Sequence, residues 1–329
     1  MIRDASWKRA LKRLRASQPF NRLATGAARA AVSVFDARSD FLIRHLHRVG
    51  EVESRLPNGR VLRLWSRADD WVSNLVYWRG WTGYEPETVP LFYLLATRSH
   101  ATLDVGAYVG FFTLLAAHAN SSGQVYAFEP LPEAFARLRE HVERNTLGNV
   151  VCEPTAIGRE NGQADFFHMP AAATKEIASD ARGSIPCSSS LSASFMAPVE
   201  GVVSRPVAVT TLDSYLATRK LGRVDLMKID TETTEPDVLE GASALLASSR
   251  PAIFCEVLPA GGTERRLEEL LFPLGYRAFH LTPRGPERRE RIAAHPEWLN
   301  YLFAVRESEE IGALHREARI LAGLAAAPG

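Results

Sequence analysis

Two short segments constrain this chain more than any others: Thr102-Leu-Asp-Val-Gly-Ala-Tyr-Val-Gly-Phe-Phe-Thr113 and, downstream, Val125-Tyr-Ala-Phe-Glu-Pro130. In the first, an apolar run enters a turn bounded by Gly106 and Gly110 and leaves it as a helix. The second is another apolar run, and it ends on a carboxylate. Glycines have no side chain to obstruct a ligand lying against the turn, and a helix opening near Phe111 aims its free backbone N–H groups at an anion. Glu129, at the carboxyl end of the next parallel strand, is placed to accept hydrogen bonds from both hydroxyls of a ribose. Together they outline half of a nucleotide-type pocket.

A dinucleotide fold calls for Gly-x-Gly-x-x-Gly. Here the loop reads Asp104-x-Gly106-Ala107-Tyr108-Val-Gly110, with an acid ahead of the first glycine and no glycine triplet, which argues against NAD. The acidic-x-Gly opening followed by a ribose-type Glu resembles the class I S-adenosylmethionine-dependent methyltransferases. In that setting a carboxylate at Asp104 is suited to face the ligand's ammonium group.

Around these segments the pattern alternates. Strands are expected at 101–105, 124–128, 149–152, 224–229 and 252–257, with helices at 111–119, 131–147 and 235–247 between them. Further strands near 277–281 and 301–305 complete the set, and 307–325 reads as a last helix. Such alternation predicts an α/β, Rossmann-like fold of the class I methyltransferase kind: a mostly parallel seven-stranded sheet with helices on both faces. Residues 80–306 would form this domain, 307–329 a C-terminal helix and tail, and 1–79 a basic, helical N-terminal extension with a hairpin near Asn58-Gly59. The Ala- and Ser-rich stretch 169–201 interrupts the alternation and is expected to be a lid or a floppy insertion.

Net charge is only +1, but residues 1–50 hold eleven Lys/Arg against three Asp/Glu. Trp7, Ala10, Leu11 and Leu14 recur at helical spacing beside Lys8, Arg9, Lys12, Arg13 and Arg15, a short basic amphipathic helix. Its two readings are packing on the body or a partner subunit, and peripheral contact of residues 1–20 with an anionic membrane surface. No apolar run approaches the ~18 residues of a membrane span and no secretory leader follows Met1, so a soluble cytoplasmic protein, peripheral at most to the inner face of a membrane, is expected. Cys152, Cys187 and Cys255 lack metal-ligand spacing and are expected to be free thiols.

Open parallel sheets bind ligands beyond the carboxyl ends of their strands, so Asp230-Thr-Glu232-Thr-Thr-Glu235, after the strand ending at Ile229, should share a crevice with Gly106. Asp230 and Glu232 alternate onto one side, while Glu235 opens the next helix. Repulsion among the three carboxylates would raise at least one pKa unless a cation such as Lys228 compensates.

Here the resemblance becomes specific. Asp104-Val-Gly-Ala-x-x-Gly110-x-x-Thr113, Ala127-Phe-Glu-Pro130, Ala156-Ile-Gly158, Thr211-Leu-Asp213, Met227-Lys-Ile-Asp230-x-Glu232 and Val238-Leu-x-Gly241 are similar, in order and spacing, to the motifs of FkbM-type methyltransferases, and Gly83-Tyr84-Glu85 matches a short motif ahead of them. The resemblance implies methyl transfer from S-adenosylmethionine to an oxygen, usually a hydroxyl of a sugar or other natural-product scaffold. It implies that Asp104, Gly106 and Gly110 hold the methionine end and Glu129 the ribose, with Glu85, Ala107, Tyr108, Thr113, Pro130 and Ala156 completing the cofactor side. It implies that Asp230 and Glu232 sit near the sulfonium and the acceptor; the candidates to take the proton are Asp230, Glu232 and Glu235 and, behind them, His168 and His280. The chain departs from the family where Tyr108 replaces a frequent Asn and Thr233 a frequent Gly.

His168 and His280 lie in apolar runs, where a satisfied structural histidine is the expectation. Three oxygen donors are able to hold Mg²⁺ or Ca²⁺ with waters, although a metal is not the favoured reading. A small-molecule or glycan acceptor, and no nucleic acid, is expected. Two other classes stay open at this stage: a dinucleotide-dependent oxidoreductase, and a scaffold that has lost chemistry and acts through its basic front.

Overall fold

The computed structural model describes residues 17–35, 40–170, 189–259 and 261–324. The chain divides into two compact units between Tyr84 and Glu85. The basic amphipathic segment expected at 1–15 lies outside the described residues, as do Cys187 and most of the stretch expected to form a lid.

The N-terminal unit carries helices α1 (Gln18–Phe35) and α2 (Asp40–His45), the antiparallel hairpin β1 (Val49–Arg55) and β2 (Val61–Arg67), and helix α3 (Trp71–Arg79). Strict alternation buries Val52 and Ser54 on one strand and Leu62, Leu64 and Ser66 on the other, the period of a sheet with one covered face. The hairpin closes at Asn58-Gly59, where Gly59 takes a φ of 81° that a side chain would resist. Helix α3 starts on the Asp70 carboxylate, which accepts from Ser73 N at 2.6 Å. Helix α1 meets the hairpin through polar groups. The Asn21 amide donates to His47 O at 2.8 Å and its oxygen accepts from Val49 N at 2.7 Å, while Thr25 accepts from the Arg48 guanidinium at 2.9 Å.

The second unit begins with helix α4 (Val89–Ala96). It then lays out β3 (Ala101–Val105), α5 (Phe111–Ala119), β4 (Gln124–Phe128), α6 (Pro132–Arg144) and β5 (Val150–Glu153). After a second, smaller sheet described below come α8 (Leu212–Arg219), β10 (Leu226–Ile229), α9 (Glu235–Glu240), α10 (Ser243–Ser248), β11 (Ala252–Glu256) and α11 (Glu264–Leu271). The chain continues through β12 (Arg277–Thr282), β13 (Gly285–Arg289), β14 (Asn300–Ala304) and α12 (Ser308–Leu321). The main sheet runs in the order β13-β12-β14-β11-β10-β3-β4-β5; β3, β4, β5, β10 and β11 are mutually parallel, and β14 lies antiparallel between β11 and β12. Every residue of β3 and of β10 is buried, the signature of central strands covered on both faces. Leu103, Val105, Met227, Ile229, Ile253 and Phe303 build the core between sheet and helices.

The architecture is the Rossmann-like α/β fold expected, with one correction: the sheet has eight strands, not seven. The eighth, β13, turns back on β12 through a bend in which Arg284 N donates to the Thr282 hydroxyl and that hydroxyl donates to Gly285 O at 3.1 Å. Its sequence, Gly-Pro-Glu-Arg-Arg, is that of an exposed edge, where charge and proline are tolerated and hydrophobic alternation is absent. The helix expected over 235–247 is likewise two helices, because the chain bends at Gly241. A Cβ there would sit 2.2 Å from Gly158 O, so backbone meets backbone where only glycine fits. Asp213 restarts the second helix by accepting from Ala244 N and Leu245 N at 2.8 and 3.0 Å.

The smaller sheet orders β6 (Ala156–Ile157), β9 (Val203–Thr210), β7 (Gly162–His168) and β8 (Ser189–Ser190). Part of the expected lid is therefore built into structure: β8 pairs with β7, and the short helix α7 (Ala193–Met196) follows, its first turn held by the Ser192 hydroxyl. Cys152 and Cys255 are free thiols. Among the described residues no helix is long and apolar enough to cross a membrane.

Candidate active site

Strands β3, β4, β10 and β11 are neighbours and parallel, so their carboxyl ends open onto one crevice. The turn after β3 is tightly specified. Gly106 takes a φ of 81°, and a Cβ on it would lie 1.8 Å from the carbonyl oxygen of Asp230. Gly106 N and Ala107 N both donate to Phe128 O at 3.0 Å, which ties the turn to the end of β4. Gly110 closes the turn at a φ of 88° against Leu138. Gly106→Ala must both adopt a left-handed backbone and displace the Asp230 backbone just past β10, so we expect a loss of at least about 3 kcal/mol in a urea titration. A loss under 1 kcal/mol would show that the close approach to Asp230 is not required.

Glu129 stands across the turn. One carboxylate oxygen accepts from Tyr108 N and the other from Leu131 N, each at 2.8 Å. A carboxylate offers about four lone-pair directions, so each oxygen keeps room for one further donor. Burial raises its pKa to about 7, with the two backbone bonds pulling the other way. Pro130 follows it and leads to Pro132 at the start of α6, and Ala156 is buried in β6 just past the end of β5. Asp104 is deeper than an ammonium-facing role suggests: only 2% exposed, it takes the hydroxyl of Thr113 and so fixes the first turn of α5. Its strand partner in register is Lys228. Burial raises the Asp104 pKa to about 6, against the pull of Thr113 and Lys228.

Lys228 organises the other half. Its ammonium is 1% exposed. It donates to Asp230 at 2.8 Å and to the Asn300 side-chain oxygen at 3.3 Å, lies 4.0 Å from Glu85, and sits 5.0 Å from the centre of the Phe112 ring. Burial alone would lower its pKa, but the Asp230, Glu85 and Glu256 carboxylates outweigh that and raise it, keeping the charge. Glu85 is fastened in turn by the Asn300 amide at 3.0 Å. The structure thus brings Asp230 and Glu85 together around one cation, with Glu256 near enough to act on its charge.

Glu235 is used differently. Its Oε1 accepts from Thr231 N, the Thr231 hydroxyl and Thr233 N at 2.9 to 3.1 Å, holding the loop that presents Asp230 and Glu232. Burial still raises its pKa to about 7. Glu232 titrates above the usual carboxylate range, first because it is buried and then because Asp230 and Glu235 flank it. Its carbonyl accepts from the fully buried Ser190 hydroxyl at 2.6 Å, which joins this loop to β8. Sequence reasoning passed over Glu256, at the end of β11. One of its oxygens is buried with no hydrogen-bond partner, and burial together with Asp230 and Glu232 raises its pKa well above normal. The strand-end rule that singled out Asp230 applies equally one strand over.

His280 bonds Trp298 O at 2.8 Å and stacks on Tyr301, and His168 bonds Met169 O at 3.2 Å; both are structural. Among the described residues no three His, Cys, Asp or Glu side chains are grouped to hold a metal ion. Tyr108 (φ 50°) and Thr233 (φ 80°) are both left-handed, a conformation that Asn and Gly adopt with least strain. At Thr233 the strained backbone is packed: a Cβ on Gly261 would come 3.0 Å from the Thr233 methyl.

The raised carboxylates set the pH dependence of folding. Unfolded, they titrate near ~4; folded, Asp104 titrates at about 6 and Glu129 and Glu235 at about 7. The folded chain therefore keeps protons the unfolded chain has released, and this contribution, complete below about pH 4, is lost as pH rises through 6 to 7. We expect the urea midpoint to fall between pH 5 and pH 8, and Glu129→Gln to flatten that slope. A midpoint rising over the same range would contradict the assignment.

The family model described as Methyltransferase FkbM domain matches residues 104–308. The chain is 30% identical over 158 residues to a 31-O-demethyl-FK506 methyltransferase FkbM of Streptomyces tacrolimicus, and 29% identical over 145 residues to a Methyltransferase 1 of Beauveria bassiana. Each alignment covers 42% of this chain, which spans 57% of either relative. Among solved structures, a methyltransferase FkbM of Methylobacillus flagellatus aligns at a TM-score of 0.40 and 13% identity, over 63% of this chain and 43% of that one.

Proposed function

The chain belongs to the FkbM methyltransferase family, and from that premise we propose that it is an S-adenosylmethionine-dependent O-methyltransferase acting on a hydroxyl of a sugar, glycolipid or other natural-product acceptor. The observation that carries the reading is Glu129. Its carboxylate is anchored through both oxygens by Tyr108 N and Leu131 N and retains acceptor capacity on each, at the mouth of the Gly106 turn. That donor set fits a nucleoside diol. The cofactor, when bound, supplies an electrophilic methyl carbon.

The chain's own residues have two tasks. An alcohol has a pKa near that of water, ~15.7, so its proton must be accepted as the new carbon–oxygen bond forms. Asp230 and Glu232 are the carboxylates available for this. Glu235 is committed to three hydrogen bonds from its own loop and acts by holding the other two in place. A general base is worth about 10² to 10⁴ in rate, and alignment of the reacting groups about 7 to 11 kcal/mol, so positioning is the larger share. Glu85 and Asn300 serve it by fixing Lys228, and through Lys228 the Asp230 carboxylate.

Calorimetry with S-adenosylhomocysteine tests the cofactor half, with NADH as the comparison. Heat with the nucleoside and none with NADH supports the reading; the reverse would replace it with an oxidoreductase. A mass-shift screen of hydroxylated sugars and glycolipids with isotopically labelled methyl donor tests the acceptor half. Because Glu232 titrates above the usual range together with its neighbours, kcat should rise with pH from 6 to 8.5 as that proton is lost. In Glu232→Gln that limb should disappear, and a profile identical to the parent's would remove Glu232 from the proton path.

A further inference from the structure

Over residues 18–30, helix α1 packs through polar groups and exposes apolar ones. Its buried residues over this stretch are Asn21 and Thr25, 3% and 0% exposed and both hydrogen-bonded to the start of the hairpin. Its outward face is apolar: Phe20, Leu23 and Ala27, at i, i+3 and i+7 on one side of the helix, all face solvent, with Phe20 41% and Leu23 74% exposed. Arg22 flanks this stripe on the exposed surface, and Arg29 reaches back over the Tyr77 ring at 5.0 Å. A helix that packs on its own unit for stability buries its apolar residues; over residues 18–30 this one turns Phe20 and Leu23 outward and sets asparagine and threonine on the seam.

We propose that this face docks on an anionic lipid bilayer, with Phe20 and Leu23 entering the headgroup boundary. The occupant is indicated by charge and by continuity of the chain. The 16 residues that run directly into α1 contain six Lys/Arg and a single acid, Asp4, and residues 1–50 as a whole hold eleven basic against three acidic side chains. Apolar residues on one helix face beside a dense basic segment are the combination that binds a negatively charged interface, where each basic residue adds about a factor of five. Trp71, 44% exposed in the same unit with its ring tilted against His47, is a further exposed aromatic of the kind found at such interfaces. The His47 carbonyl in turn receives the Asn21 amide, so this aromatic and α1 are fixed to the same short segment.

The test is co-sedimentation of the full chain with vesicles of phosphatidylcholine alone or mixed with phosphatidylserine. The expected result is binding to the mixed vesicles, weakened in high salt, and reduced at least about tenfold by the double variant Phe20→Ser/Leu23→Ser. Both side chains are exposed, so the variant should keep the parent's melting temperature and its calorimetric affinity for S-adenosylhomocysteine. Three outcomes would overturn the proposal. The chain stays in the supernatant with anionic vesicles; the double variant binds as tightly as the parent, leaving α1 without a role; or ultracentrifugation finds a dimer that the double variant converts to monomer, making the face a contact between copies of this chain.

Discussion

Asp230→Asn is expected to lower kcat about 10²- to 10⁴-fold while leaving cofactor affinity within about threefold, the range attributed to a well-placed general base. Asparagine is the informative replacement because the Lys228 ammonium, 1% exposed, donates to Asp230 at 2.8 Å. Truncation to alanine would strand a buried cation beside Glu85 and Asn300 alone, a change that costs about 3 to 5 kcal/mol of stability in comparable pairs. The amide oxygen of asparagine still accepts from the ammonium, so the loop stays put and only the negative charge is lost. Single-turnover methyl transfer and calorimetry on the same preparation separate the two effects. Unchanged single-turnover rates would refute a proton-accepting role for Asp230, and a matching loss of cofactor affinity would reassign it to binding.

Glu129→Ala is expected to weaken S-adenosylhomocysteine binding by about 100-fold or more. At pH 8.5, above the Glu129 pKa of about 7, two hydrogen bonds to the ionised carboxylate contribute about 1.5 to 3 kcal/mol each, and 1.4 kcal/mol is about a tenfold change in Kd. The residue also anchors Tyr108 N and Leu131 N, so its removal leaves two amides at the turn without their acceptor. Glu129→Gln, which keeps one acceptor oxygen, should fall between parent and alanine variant. Calorimetry that finds all three within threefold would show that no ribose is held there.

Much of this arrangement was legible because it is written in local pattern. Wholly buried strands such as Ala101–Val105 and Leu226–Ile229 are short apolar runs, and each ends in the polar residues that line the crevice. Gly106, Glu129, Asp230 and Glu232 fall where strand-end logic puts them. What escaped depends on contacts distant in sequence. The break at Gly241 exists because Gly158 lies against it, and nothing in Val-Leu-Glu-Gly-Ala-Ser announces that neighbour. The edge strand Gly285–Arg289 carries charges and a proline, so its hydrogen bonding to β12 leaves no hydrophobic period. Glu235 looked equivalent to Asp230 and Glu232 on the page, and only the three donors gathered on its Oε1 set it apart. Glu256 was hidden for the opposite reason: a lone acid ending an apolar run has no partner in sequence to draw notice, and its neighbours Asp230 and Glu232 belong to another strand end.

Ser190 joins the small sheet to the loop at the end of β10. Its hydroxyl reaches from β8 to the carbonyl of Glu232, whereas the Gly106 turn and Glu129 are tied to each other and to β4. A displacement of β8 is therefore passed first to the loop that presents Asp230 and Glu232, and the Gly106 turn, which packs against the Asp230 carbonyl, meets it one contact later.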